Sequence, residues 1–327
     1  SPEEEDAWPP GGASKWWLHQ SLQSLAASFE QLSAKLVIRR GDTAKQLEML
    51  VRETGASAIF WSRRYEPFAI AQEHKVEKHF QRLGIETQSF NGGLLFEPWE
   101  ISNQSGKPFR VFTPFWKTCM AQAEKISKLL SAPAKIDVPK HFPKSLALAE
   151  LELEPKLDWA KEFPKFWEPG EVGAHQNLKR FLRESLSDYE TSRDRPDQPG
   201  TSRLSPHLHF GEISARQIWA AVQKHKSSSA KKYLAEIGWR EFAHHLLFYF
   251  PQTPTKPLHE KFAAFPWRNN AAWLKAWQRG QTGFPIVDAG MRELWATGWM
   301  HNRVRMIVGS FLVKDLLLPW HSGARWF

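Results

Sequence analysis

Hydrophobic and polar positions follow one rhythm up to about residue 97 and another from about residue 171. Trp17, Leu18, Leu22, Leu25 and Phe29 recur at helical spacing and predict a helix from a Ser14 cap to about Leu32. Leu36-Val37-Ile38 reads as a short buried strand, and Gly41-Asp42-Thr43 opens a helix carrying Leu47, Leu50 and Val51. Ala58-Ile59-Phe60-Trp61 is a second strand, Pro67–Arg82 a helix and Ile85–Phe90 a third strand. Strand and helix in alternation predict a parallel sheet with right-handed crossovers. Such a sheet normally begins with a strand. Here a helix comes first, so at least one βα unit is expected to be absent.

The rhythm breaks between residues 98 and 170. Phe112–Leu130 has helical character, while Pro133, Pro139, Pro143, Pro155, Pro164 and Pro169 punctuate the rest, as in a surface connection between domains. From His175 on only helical spacing is left. Leu178, Phe181, Leu182, Leu186 and Tyr189 form one face, and Ile213–Val222, Tyr233–Tyr249, Ala271–Arg279, Ile286–Ala296 and Trp299–Leu317 supply others. The expected architecture is therefore α/β plus all-α: a Rossmann-like unit over 1–97, a connector over 98–170 and a helical domain over 171–327.

Composition sharpens this division. The 327 residues are 42% hydrophobic and 24% charged, which suits folded domains and excludes disordered, collagen-like and disulfide-scaffold chains. The longest apolar runs fall far short of the ~20 residues needed to span a bilayer, so no membrane role is expected. Cys119 is the single cysteine and no leader pattern opens the chain, making a cytoplasmic location the default expectation. The chain opens at Ser1, not Met, in an acidic stretch, and its natural start is expected upstream. Residues 161–327 hold 24 basic against 15 acidic side chains, which accounts for the whole formal charge of +9. The same region holds 10 of the 17 tryptophans. A basic, Trp-rich half suits a polyanion with stackable bases, although basic surfaces and core tryptophans are also common without one.

Three segments carry candidate chemistry. Gly200-Thr201-Ser202-Arg203-Leu204-Ser205-Pro206 places hydroxyls, a flexible Gly and an Arg before a helix, which suits a phosphate or pyrophosphate; taken alone, it is more often a cap and a turn. Glu236, Trp239 and Arg240 stand at i, i+3 and i+4 of one helix, offering a carboxylate, a stacking plane and a cation on one face. The plain reading is a Glu236–Arg240 pair beside a core Trp. Asn302 and Met306 lie one turn apart in Trp299–Met306. No His, Cys or carboxylate spacing fits a metal, and no nucleophile elbow or P-loop occurs.

Taken together, these segments resemble the photolyase/cryptochrome family, and within it the class I cyclobutane pyrimidine dimer photolyases. The resemblance is carried by Tyr189, Gly200–Gly211, Trp239-Arg240-Glu241-Phe242, Phe265-Pro266-Trp267, Thr282–Ala289, Gly298–Arg303 and Phe311–Leu317, and is weak before Trp99. It implies an N-terminal α/β domain, a long connector and a helical domain holding FAD. Tyr189 matches a FAD-contacting position, Thr201, Ser202, Arg203, Leu204 and Ser205 the loop cradling its diphosphate, and Arg240 a cation near the flavin. Glu236 and Trp239 match the residues that hydrogen-bond to and stack on an everted dimer. Asn302 and Met306 match the lesion pocket, with Glu236 and Asn302 the expected catalytic pair. Trp239, Arg240, Arg303 and Met306 complete the expected contact with UV-damaged DNA. Trp267 and Trp320 match the outer members of an electron-transfer chain.

The resemblance implies light-driven dimer splitting by an electron from excited, reduced FAD, in a monomer. Histidines at the places of Asn302 and Met306 would serve the proton transfer of (6-4) repair, whereas Asn and Met cannot act as the acid. A cryptochrome-like photoreceptor without repair activity is the alternative, and a cofactor-free nucleic-acid-binding module the third reading. The family pattern continues past Phe327 and before Ser1, so the chain is expected to be incomplete at both ends and, as it stands, unable to hold FAD tightly or repair DNA. Folate-binding relatives carry an Asn-Glu pair shortly after a Tyr-Glu. Here Tyr65-Glu66 is followed by Pro67-Phe68-Ala69, so a second antenna chromophore is expected to be a deazaflavin, another flavin or none.

Overall fold

A computed structural model describes residues 8–327. The first elements among the described residues are α1 (Gly12–Gln31) and α2 (Thr43–Thr54). Ser14 does not cap α1: the N-cap is Gly11, a turn earlier, which leaves Ser14 inside the helix. Asp42 caps α2 by accepting from the Lys45 N–H at 2.9 Å, and Gly55 ends it in the left-handed conformation. β1 (Ala58–Ser62), α3 (Pro67–Arg82) and β2 (Glu86–Phe90) then form a βαβ unit, with Ala58 paired to Glu86 and Ser62 to Phe90 in parallel register.

Leu36–Ile38 is extended but joins no sheet. Its backbone is paired by the connector instead: Leu146 N–H donates to the Ile38 carbonyl, and Ile38 N–H to Ser145 Oγ. Among the described residues no strand runs beside it, so a β-branched run has no ladder to enter.

The connector holds α4 (Phe112–Met120), shorter than the helix expected to Leu130, and several 3₁₀ turns. The helical half follows as α5 (Glu171–Glu184), α6 (Tyr189–Ser192), α7 (Ser205–His209), α8 (Ala215–Val222), α9 (Ser228–Tyr249), α10 (Ala271–Gln278), α11 (Pro285–Thr297), α12 (Asn302–Ser310) and α13 (Trp320–Trp326). The single helix expected over Trp299–Leu317 is divided. His301 caps α12 by accepting from the Arg303 N–H, and the helix then widens into a π turn over Phe311–Asp315.

Among the described residues three apolar clusters hold the fold. The main one packs Phe115 and Cys119 of α4, Phe181 of α5, Ile218 of α8 and Ile237 and Phe242 of α9 around the centre of the helical half. Each fully buried aliphatic or aromatic side chain there contributes roughly 1.5–3 kcal/mol. A second gathers Trp277, Met291, Val304, Val308 and Leu312 from α10 to the π turn. The third seats Trp16 and Trp17 of α1 against Phe163 and Trp167, so α1 packs on the connector.

Polar contacts tie the β-unit to the helical half through residues 91–109. Arg216 donates to the Asn91 and Leu94 carbonyls, and Arg240 to the Gly93 carbonyl at 2.7 Å. Glu241 accepts from the Leu95 and Phe96 N–H groups, and His245 from the Phe109 N–H.

Candidate cofactor and nucleic-acid site

Tyr189, on the short α6, is buried with its ring edge-on to Phe181 and Tyr233. One turn later Arg193, also buried, lays its guanidinium over that ring and pairs with Glu236 of α9. Burial works against the Arg193 charge, but Glu236, with Tyr189 and Asp194, outweighs it and raises its pKa. Asp194 completes the bridge. Its Oδ1 lies 3.4 Å from Arg193 Nε and accepts from Arg303 Nε at 2.6 Å, and that contact with Arg303 is the main cause of its lowered pKa. Arg303 Nη1 reaches Met306 Sδ at 3.4 Å, while Asn302 and Met306 are exposed along one face of α12. A continuous polar chain therefore runs Glu236–Arg193–Asp194–Arg303–Met306, joining α9 to α12.

The Gly200–Ser205 loop meets the same region. Gly200 packs so closely on Ser192 that a Cβ there would lie 2.7 Å from Ser192 atoms. Ser202 Oγ accepts from Tyr233 OH at 2.9 Å, fastening the loop to α9, and Leu204 is buried. Arg203 adopts a left-handed backbone (φ 53°) and places its guanidinium 4.4 Å from the Trp299 ring centre and 5.9 Å from that of Trp167. Burial lowers its pKa. The Arg203 side chain thus braces the loop against the segment entering α12. The loop's hydroxyls and backbone remain its anion-facing chemistry. Ser192 Oγ, beside Gly200, is buried with no hydrogen-bond partner. An orphan hydroxyl beside Gly200, where a loop carrying Thr201, Ser202 and Ser205 begins, is a donor set that fits a dinucleotide diphosphate.

Glu236, Trp239 and Arg240 do not share one face in function. Glu236 turns to Arg193, not to Arg240. Trp239 stacks flat on Phe112 (3.8 Å between ring centres, 9° between planes) and stays half exposed. Arg240 points to Gly93 and the buried Glu241, away from the Glu236 chain, and burial lowers its pKa. α9 packs against α4, α6 and the segment at residues 93–96, so side chains within an arc of about 100° around it meet different neighbours. Trp267 packs on Phe265, and Trp320 stacks on His321. A hydrogen bond from Arg268 N–H to the Leu317 carbonyl ties these two segments together, and among the described residues neither Trp meets the Glu236 chain by a ring contact or hydrogen bond.

Arg193, Asp194 and Trp299 escaped the sequence reading. Arg193-Asp194 lie between Tyr189 and Gly200, which carry the resemblance, but 43 residues separate Arg193 from Glu236 and no periodicity links them. Among the described residues there is no cluster of His, Cys, Asp and Glu able to hold a metal, and no helix long and apolar enough to cross a membrane.

This arrangement, a helical half with a hydroxyl loop beside a buried Arg–Glu pair and a small parallel βαβ unit, is the photolyase/cryptochrome fold, and the chain belongs to the photolyase/cryptochrome family. Residues 233–327 match the profile of the FAD binding domain of DNA photolyase, and residues 1–137 that of DNA photolyase. The chain is 45% identical to a deoxyribodipyrimidine photo-lyase of Agrobacterium fabrum over 99% of its own length and 68% of the relative's. It is 36% identical to cryptochrome-1 of Arabidopsis thaliana over its full length, spanning half of that protein. A crystal structure of a bacterial class III photolyase from Agrobacterium tumefaciens superposes with a TM-score of 0.95 at 45% identity, covering 99% of this chain and 68% of that one.

Proposed function

We propose that this chain is the FAD- and DNA-binding part of an enzyme that repairs cyclobutane pyrimidine dimers with light. The observation that carries the reading is the Glu236–Arg193–Asp194–Arg303–Met306 chain, which places a carboxylate, two cations and an apolar rim beside a loop fit for a diphosphate. The 45% identity to a deoxyribodipyrimidine photo-lyase supports it. When bound, reduced FAD supplies a light-excited electron and takes it back.

Everything else falls to the protein. Thr201, Ser202 and Ser205, with the backbone of Arg203 and Leu204, hold the diphosphate; Tyr189 and Arg193 close the wall behind it. Glu236, fixed by Arg193, accepts from the N–H groups of an everted base. Asn302 offers both a donor and an acceptor, Met306 an apolar surface, and the exposed part of Trp239 an aromatic surface for a base. A dimer is already poorly stacked, which lowers the few kcal/mol that eversion costs. Arg303 and the basic helical half engage the phosphate backbone. Neither Asn302 nor Met306 can donate a proton as an acid, which favours dimer splitting over (6-4) repair. Trp267 and Trp320, partly buried, are suited to pass electrons toward the flavin. Likeness to the class III structure favours that subclass over class I. The protein acts on UV-damaged DNA as a monomer in the cytoplasm, and the nature of a second antenna chromophore follows from absorbance of the purified protein.

The test is repair of a dimer-containing oligonucleotide by the full-length protein purified with reduced flavin. Restoration of two separate thymine bases under blue or near-UV light and not in the dark is expected, and the absence of light-dependent repair overturns the reading. The second reading, a photoreceptor, is favoured by the cryptochrome-1 match. Equal affinity for damaged and intact duplex would select it.

A further inference from the structure

One acidic side chain sits on the rim where cations would be wanted. Asp194 follows the last turn of α6 with about half its side chain exposed, and one oxygen, Oδ1, lies by both Arg193 and Arg303. The two arginines differ in what they can do next. Arg193 is 8% exposed and committed inward to Glu236, whereas Arg303 is 38% exposed and shares the surface with Asn302 and Met306. Arg303 spends Nε on Asp194 and one terminal nitrogen on Met306 Sδ, a weak acceptor. A guanidinium has five N–H donors in a planar fork, so most of this one is unspent. Half-exposed carboxylate–guanidinium pairs contribute little net stability. A DNA phosphate offers two anionic oxygens to the same fork, in the field of its neighbours.

We propose that Asp194 is a latch for Arg303, holding its guanidinium in the free protein and surrendering it to a backbone phosphate when DNA seats. The inference rests on the DNA-binding reading above and adds a positioning residue to it. The exchange is one anion for another at a single cation, with no proton or bond made. Its consequence is that Asp194 limits affinity: each binding event must first break the Asp194–Arg303 pair and leave a carboxylate beside the phosphates. Asp194 also keeps Arg303 pointing along the rim when no DNA is present, so the free site presents a fixed cation.

The experiment is a double-mutant cycle on duplex affinity at low salt, with D194N, R303Q and the double variant. D194N is expected to bind duplex about threefold to fivefold more tightly than the parent, with the gain fading as salt rises. In the R303Q background the same D194N change is expected to alter affinity less than twofold. Equal gains in both backgrounds would make Asp194 a plain negative charge and overturn the latch, and so would a loss of affinity in D194N. Melting temperatures of the variants, expected within a few degrees of the parent, separate these outcomes from misfolding. A parent that binds no duplex overturns the repair reading and the latch together. A parent that binds and repairs, with a flat cycle, overturns the latch alone.

Discussion

Arg193 shows how much one side chain decides here. Its guanidinium is buried, covers Tyr189 and is bound to Glu236. Removing one member of a buried ion pair is costly because the other charge is left without compensation, typically 3–5 kcal/mol. Glu236 is 28% exposed at its side chain, so water recovers part of that. R193Q is expected to lose about 2–3 kcal/mol of stability in urea titrations and most of any preference for dimer-containing DNA. R193K, which keeps the charge but not the fork, should recover stability better than preference. An R193Q protein with full preference would mean that Glu236 needs no fixing. The hydroxyls of Thr201–Ser205 were legible in the sequence because their chemistry is local. Arg193 was not: its meaning lies in a contact with α9, and one of two arginines in a polar stretch has no periodicity to give it away. The role of Arg203 was legible only in part, since its left-handed backbone and its two tryptophan neighbours are tertiary facts.

α9 is the element on which the halves depend, and Gly238 sits in its middle. Helix propensity alone makes G238A favourable by about 1 kcal/mol. The neighbour reverses the sign: a Cβ at 238 would lie 2.5 Å from the Trp116 ring of α4. Overpacking of this kind typically costs 1–3 kcal/mol. G238A is expected to lower the melting temperature, and a second change, Trp116→Leu, to recover part of the loss by opening space. If G238A alone is stabilising, Trp116 does not pack against α9 at Gly238. The same helix explains where periodicity succeeds and fails. α3 was readable, because Pro67 opens it and its apolar stripe faces one side. In α9 the apolar stripe predicted the helix, but not that Glu236, Trp239 and Arg240 would take three different partners. Leu36–Ile38 has strand composition without a strand partner. The break after Ser310 is a π turn that no residue type announces.

Across the whole molecule, the β-unit and the helical half are joined by buried polar groups, and Glu241 is the most exacting of them. Its Oε2 accepts from Leu95 and Phe96 N–H at 2.8 and 3.2 Å, while Oε1 is buried with no hydrogen-bond partner. Burial pushes its pKa up to about 7, against Arg240 and the two backbone donors, which pull it down. An acid held above its ordinary pKa keeps its proton in the native state over a range where the unfolded chain has already released it. Its contribution to stability is therefore present below about pH 4.5 and is lost as pH rises toward 7. His245, on the wall of the same small cavity, runs the other way: burial pushes it down to about 4, so its contribution is full above about 6.5 and is lost as pH falls. Raw pH profiles of the parent mix the two. The difference between the parent and E241Q isolates Glu241, because the amide stands in for the protonated acid and leaves His245 in place. E241Q is expected to match the parent near pH 5 and to exceed it at pH 8 by on the order of 3 kcal/mol, read from urea unfolding at each pH. A constant difference across that range would mean that Glu241 is ionised in the native state throughout, with Arg240 close enough to hold its charge. The join between the halves would then be an ion pair, not a neutral acid seated on the chain of residues 95–96.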